Sequence, residues 1–170
     1  MQLRELLVVP PLEGALIFVV GLAGYISHNP LLFASLGPTA FEMIEMPDHQ
    51  TARPYNIIVG HLIAILAALA ALWLTHARTA PGITEAGVPL ARVWAATLAA
   101  ALTALGTLLA RARQPAALST TLLVSLGVLQ TARDGVVIMA AVLLMTAIGE
   151  PVRRLRQQDA RNRNLDRSLN

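Results

Sequence analysis

Four stretches of this sequence carry almost no charge over lengths that approach the thickness of a lipid bilayer, and a chain built that way cannot keep them in water. Residues 55–75 contain no Asp, Glu, Lys or Arg, and His61 is their only titratable nitrogen. A helix needs about twenty residues, at roughly 1.5 Å rise each, to cross a hydrocarbon core of ~30 Å. Residues 93–110 are equally uncharged. Residues 135–149 are shorter and flanked by Asp134 and Glu150, and residues 14–27 reach a useful length if 10–13 begin the helix. The reading is an all-α membrane protein with four transmembrane helices.

Composition agrees with that solvent. Charged residues are 14%, hydrophobic residues 55% and the mean hydropathy is +0.60, against about 25% charged in soluble domains. Trp73 and Trp94 fall near the ends of two spans, where interfacial rings sit. Cysteine is absent, which excludes disulfides, thiolate chemistry and Cys-based metal sites. The first apolar run lacks a small-residue cleavage site and follows Pro10-Pro11, so it reads as a retained span.

All thirteen basic residues are Arg. Arg153, Arg154, Arg156, Arg161, Arg163 and Arg167 crowd the last eighteen residues, offset by Asp159 and Asp166. A basic segment directly after a span marks the cytoplasmic side of a membrane, not a nucleic-acid surface. Four spans then place both termini in the cytoplasm, in keeping with a bacterial inner-membrane protein. Arg4, Arg78 and Arg92 fit that orientation, with loops 28–54 and 111–134 outside. Arg53, Arg111, Arg113 and Arg133 fall on the wrong side of it, and that breach invites a functional reading.

The two halves resemble each other. Thr51-Ala52-Arg53 recurs as Thr131-Ala132-Arg133, and each half reads as long span, short apolar segment, Thr-Ala-Arg, second span. Two spans per unit give parallel tandem repeats, about 12–76 and 88–150, within a transmembrane domain 1–152 followed by a basic tail 153–170. The short segments, 31–46 and 116–130, contain helix-start chemistry: Gly37, Pro38 and Thr39 in the first, Pro115 and Ser119-Thr120-Thr121 in the second. Short Pro-interrupted segments at matching repeat positions are a pointer to a transport site. They read as re-entrant helices; interfacial helices, or a six-span protein in which both cross, are the alternatives.

The run Ala34-Ser35-Leu36-Gly37-Pro38-Thr39-Ala40-Phe41, then Pro47 and Ala52-Arg53-Pro54-Tyr55-Asn56-Ile57-Ile58-Val59-Gly60-His61, resembles the HPP family of integral membrane proteins. The resemblance covers most of the chain. The family's His-Pro-Pro tripeptide falls at Arg113-Gln114-Pro115, so only its second proline is kept and a role resting on the family's histidine does not carry over. The resemblance implies a four-helix membrane protein and a transport role, with some relatives linked to nitrite transport in plastids and cyanobacteria.

Arg53 and Arg133 precede equivalent spans. Around a two-fold axis along the membrane normal they would share one outer vestibule, with the helix starts at Gly37, Thr39, Ser119 and Thr120. Guanidinium forks and helix N-termini bind small oxyanions, and nitrite would suit one fork; the competing reading pairs Arg53 with Glu45 or Asp48 and Arg133 with Asp134. Asn56, Gly60 and His61 lie on one side of a span, where an imidazole would line a pore or couple a proton or simply bond a nearby carbonyl. Glu42 and Glu45, near Asp48 and His49, read as a solvated loop face rather than a metal site. No nucleophile–base pair, phosphate loop or cofactor motif is present, so an enzyme is not expected. The expectation is a transporter or channel for a small inorganic anion, assembled as a homo-oligomer because four spans enclose little; the alternative is a scaffold whose basic tail binds lipid or a partner.

Overall fold

Each helix begins and ends on local chemistry. α1 (Leu3–Ser27), α3 (Pro54–Leu74), α5 (Leu90–Leu109) and α7 (Ala132–Ser168) are the long ones; α2 (Leu36–Glu45), α4 (Ile83–Ala86) and α6 (Ala116–Ser125) are short. Pro54 opens α3 after an extended Arg53, where a missing N–H costs nothing. α7 opens on a reciprocal cap: the Thr131 N–H donates to Asp134 Oδ2 at 2.8 Å and the Asp134 N–H to Thr131 Oγ1 at 3.1 Å. α1, α5 and α6 end in left-handed residues, His28, Arg111 and Gly127. In each, the next residue's N–H reaches back to close the end, as Ala112 does to the Thr107 carbonyl at 2.9 Å.

The computed structural model describes residues 3–168, and every regular element among them is helical. The side chains of Arg4, Arg163, Asp166 and Arg167 lie outside the described set. Four helices are long and apolar enough to cross a membrane, 5–27, 54–74, 90–109 and within 132–159, as the sequence predicts. α3 is the hub, packed against α5, α6 and α7, whereas α2 lies between α1 and α7. Of the apolar window in α1 only 11% is buried, against 44% in α3, so α1 is a peripheral helix facing mostly lipid. Leu36, Met43, Ile44, Ile57, Leu72, Ile138 and Met145 fill the centre, while Phe18, Leu66, Trp73 and Trp94 are turned outward.

The direction of each helix corrects the expected topology. Glu5 of α1, Glu45 at the end of α2, Pro47 just after it and Arg156 of α7 meet at one end of the molecule, so the start of α1 and the later part of α7 share a face. Pro54 joins Glu150, Pro151 and Arg154 at that same end. The Tyr55 hydroxyl bonds the Ala110 carbonyl at 3.0 Å, which brings the close of α5 there too. At the far face, Thr75, Leu90 and Trp94 lie together, and Arg92 reaches the end of α6. Both short segments therefore cross. Residues 28–35 double back along α1, with Leu31 against Gly24 and Leu32 against Gly21, and α2 completes the descent. Residues 111–115 and α6 make the opposite journey.

The halves keep one order of elements, but the second runs antiparallel to the first. The parallel arrangement expected from two spans per unit fails because each unit has three crossings, one of them half extended. This also answers the arginine breach. Arg53, Arg111 and Arg113 lie on the face of the termini, leaving Arg78, Arg92 and Arg133 opposite. Trp73 and Trp94 are near that opposite face. No break separates a tail from the domain at residue 153: α7 is continuous through Pro151, and Arg153 is buried against the body.

A candidate translocation site between the short helices

A half-extended crossing must satisfy its exposed backbone inside protein, because lipid offers no partners. Here that need gathers polar groups at mid-depth. Ser35, which precedes α2, and Thr120, in the middle of α6, share a buried hydroxyl–hydroxyl bond of 2.7 Å. Thr39 donates to the Ser35 carbonyl at 2.9 Å. Since α2 runs down from Ser35 and α6 runs up past Thr120, the N-terminal turns of the two helices overlap side by side. The positive ends of both dipoles thus converge near the centre. A second hydroxyl layer continues toward α5, where Thr103 and Thr121 bond at 2.8 Å and Thr107 donates to the Thr103 carbonyl.

The lead-in to α6 rests on α3. Asn56 donates to the Arg113 carbonyl at 3.1 Å, supplying a partner that the extended backbone lacks. Gly60 faces Gln114 so closely that a Cβ added there would lie 2.6 Å from the Gln114 Cβ; only glycine permits this approach. His61 is fully buried, with Nδ1 at 2.9 Å from the Ile57 carbonyl and Nε2 without a partner. Glu42 is not on a solvated loop face: it is 7% exposed, and Gln114 and Thr51 are the polar groups beside its carboxyl. Glu45 is exposed. Among the described residues no group of three metal-ligating side chains occurs.

Arginines hold the outer ends of the short helices. Arg92 is completely buried and donates to the carbonyls of Ala80 (2.6 Å), Ser125 (3.2 Å) and Pro81 (3.3 Å), and to the Gln130 amide oxygen. At the other end Arg153 donates to the Pro47 carbonyl at 2.7 Å and makes a forked pair with Glu150. Arg156 reaches the Ile44 carbonyl at 3.3 Å. Each short helix therefore has a guanidinium at its negative, C-terminal end. None of the three is a loop or tail charge of the kind the sequence suggests.

The expected site residues separate accordingly. Thr39 and Thr120 are in the buried centre, Ser119 is half-buried, and Gly37 is exposed on the outer side of α2. Arg53 and Arg133 do not share a vestibule, because Arg53 precedes α3 at the end where Pro54 meets Glu150, whereas Arg133 is at the other end of α7, beside which Gly135 packs on Ile65 midway along α3. Both are exposed, and among the described residues neither forms an ion pair. Asp134 instead caps α7. Reasoning from sequence missed Ser35, Gln114, Thr103 and Thr121 as central polar groups; the Thr103/Thr107 spacing, one turn on an otherwise apolar helix, was the available signal.

The profile described as HPP, transmembrane region, matches residues 2–160. The chain belongs to the HPP family. No curated protein and no solved structure matches it. In this HPP protein the 52–61 block that carried the resemblance touches the segment where the family's tripeptide has changed: Asn56 and Gly60 hold Arg113 and Gln114.

Proposed function

We propose that this HPP protein is a transporter or channel for a small inorganic anion, with nitrite the first to test. The observation that carries the reading is the overlap of the α2 and α6 N-terminal turns at mid-depth, joined through Ser35 and Thr120. Oppositely directed short helices with convergent positive ends are how membrane transporters hold anionic groups away from water. The Ser35–Thr120 hydroxyl pair, which uses one of its two protons, and the amide of Gln114 supply neutral donors there, while the Thr39 hydroxyl is spent on the Ser35 carbonyl. Arg53 and Arg133, on opposite faces, would then act singly, each raising the local anion concentration at one mouth. The scaffold reading loses support because Arg153 and Arg156 are engaged by the body of the protein.

The test is nitrite uptake into proteoliposomes, with nitrate and chloride as competitors. Saturable uptake by the wild type should fall about tenfold in Thr120→Val, which keeps the shape and removes one hydroxyl worth ~1–2 kcal/mol to a charged ligand. Arg53→Gln and Arg133→Gln should raise KM with little change at saturation. Uptake no faster than in empty vesicles would refute the reading.

A further inference from the structure

Near the start of α6 two buried side chains are left without full partners. Glu42 is 7% exposed, with Gln114 and Thr51 beside its carboxyl, yet its Oε2 has no partner in hydrogen-bond geometry; Gln114 is 4% exposed and neither its Nε2 nor its Oε1 reaches that geometry with any group. Gln114 immediately precedes Pro115, the cap residue of α6. The carboxyl of one short helix thus lies beside the residue that leads into the other. The Ala117 and Leu118 N–H groups are taken by the Gln114 and Pro115 carbonyls at 3.1 Å, so it is the positive end of the α6 dipole that favours a carboxylate there, where an arriving anion would be held. Two negative charges in so dry a pocket repel strongly. The anion can bind only after Glu42 has taken a proton.

We propose that Glu42 carries one proton with each anion, which makes the protein an anion–proton symporter; this rests on the anion-transport reading above. In each cycle the carboxylate accepts a proton from water on one side, the anion occupies the α6 N-terminus, and both leave to the other side. One negative and one positive charge move together, so the step is electroneutral. The neighbouring titratable groups are otherwise placed. His61 of α3 holds the Ile57 carbonyl through Nδ1, Glu13 of α1 faces Glu45, and Glu45, Asp48 and His49 are exposed. On α7, Glu150 is tied to Arg153 and Arg154, and Arg156 to the Ile44 carbonyl. Among the described residues Glu42 alone combines burial and an unpaired carboxyl oxygen with a place beside the start of a short helix; Glu13, whose Oε1 is also unpaired, is on α1.

Proteoliposomes containing a pH-sensitive dye, given nitrite outside, test this directly. In the wild type, nitrite uptake should acidify the lumen one-for-one beyond the leak of empty vesicles. An outside pH lower by one unit should concentrate nitrite about tenfold at equilibrium. In Glu42→Gln, close to isosteric, the nitrite that enters should bring no acidification and should respond to membrane potential instead. Wild-type uptake without proton movement would overturn the inference while leaving anion transport standing, and that outcome needs no variant to fold. Full proton coupling in Glu42→Gln would overturn it as well. No uptake by either protein would overturn the transport reading, and the inference with it.

Discussion

Replacing Arg92 should damage this protein more than replacing any other arginine. Its guanidinium is wholly buried and donates four hydrogen bonds, three to carbonyls from two separate segments and one to Gln130. Bonds from a charged donor contribute about 1.5–3 kcal/mol each in net terms, and they are not additive. Arg92→Met keeps much of the volume but leaves the Ala80, Pro81 and Ser125 carbonyls facing a thioether. Some of those carbonyls regain water at the membrane surface, so the net loss should be about 3–5 kcal/mol. For a chain of this size that is a fall of roughly 10 °C in melting temperature. Arg92→Lys retains the charge but not the fork, and should fall about half as far. Intrinsic fluorescence of Trp73 and Trp94 during heating in detergent reads the change. Arg92→Met melting within ~2 °C of wild type would refute the pinning argument.

Other substitutions probe the same architecture. Gly60→Ala should force Gln114 away from α3, since the new methyl would lie 2.6 Å from its Cβ, and cost about 1–3 kcal/mol in thermal stability. Arg111, at φ 52° in the Schellman end of α5, should gain about 1 kcal/mol on replacement by Gly, visible as a raised melting temperature. Arg153→Ala should cost about 2–3 kcal/mol, because it leaves the Pro47 carbonyl without its partner and Glu150 with Arg154 alone. Arg154→Ala, with its side chain 70% exposed, should stay within ~0.5 kcal/mol; equal losses in the two would count against the pin.

The long helices were legible because length and hydropathy are local properties. Residues 54–74 and 90–109 need no tertiary information to be read as spans. The short crossings were not, because ten helical residues span only about 15 Å, half of what a bilayer demands. What completes each crossing is extended backbone, and its partners, such as Asn56 for the Arg113 carbonyl, come from distant helices. A signal was nevertheless present. Arg53, Arg111 and Arg113 broke the charge bias under four spans, and the breach pointed to topology rather than to ligand binding. Once 28–46 and 111–127 cross, those arginines join the face of the termini, and only Arg78, Arg92 and Arg133 remain opposite. The central hydroxyls were hidden for a related reason: Ser35 and Thr120 are 85 residues apart, and only antiparallel halves bring them together. Thr39 and Thr120 are both buried, but α6 starts at Ala116 and not at the expected Ser119-Thr120, so Thr120 is there as a mid-helix hydroxyl; the pairing of Arg53 with Arg133 depended on the wrong symmetry.

Everything from the convergent helix starts to the proton coupling depends on both short segments crossing. The chain has no native cysteine, so single cysteines at Gln50, Arg113, Gln158 and Thr84, labelled in intact cells by a membrane-impermeant maleimide and compared with lysed cells, measure this directly. Gln50, Arg113 and Gln158 should report one face, and Thr84 the other. Labelling of Gln50 and Arg113 from the face opposite Gln158 would restore four spans in parallel repeats and contradict the account.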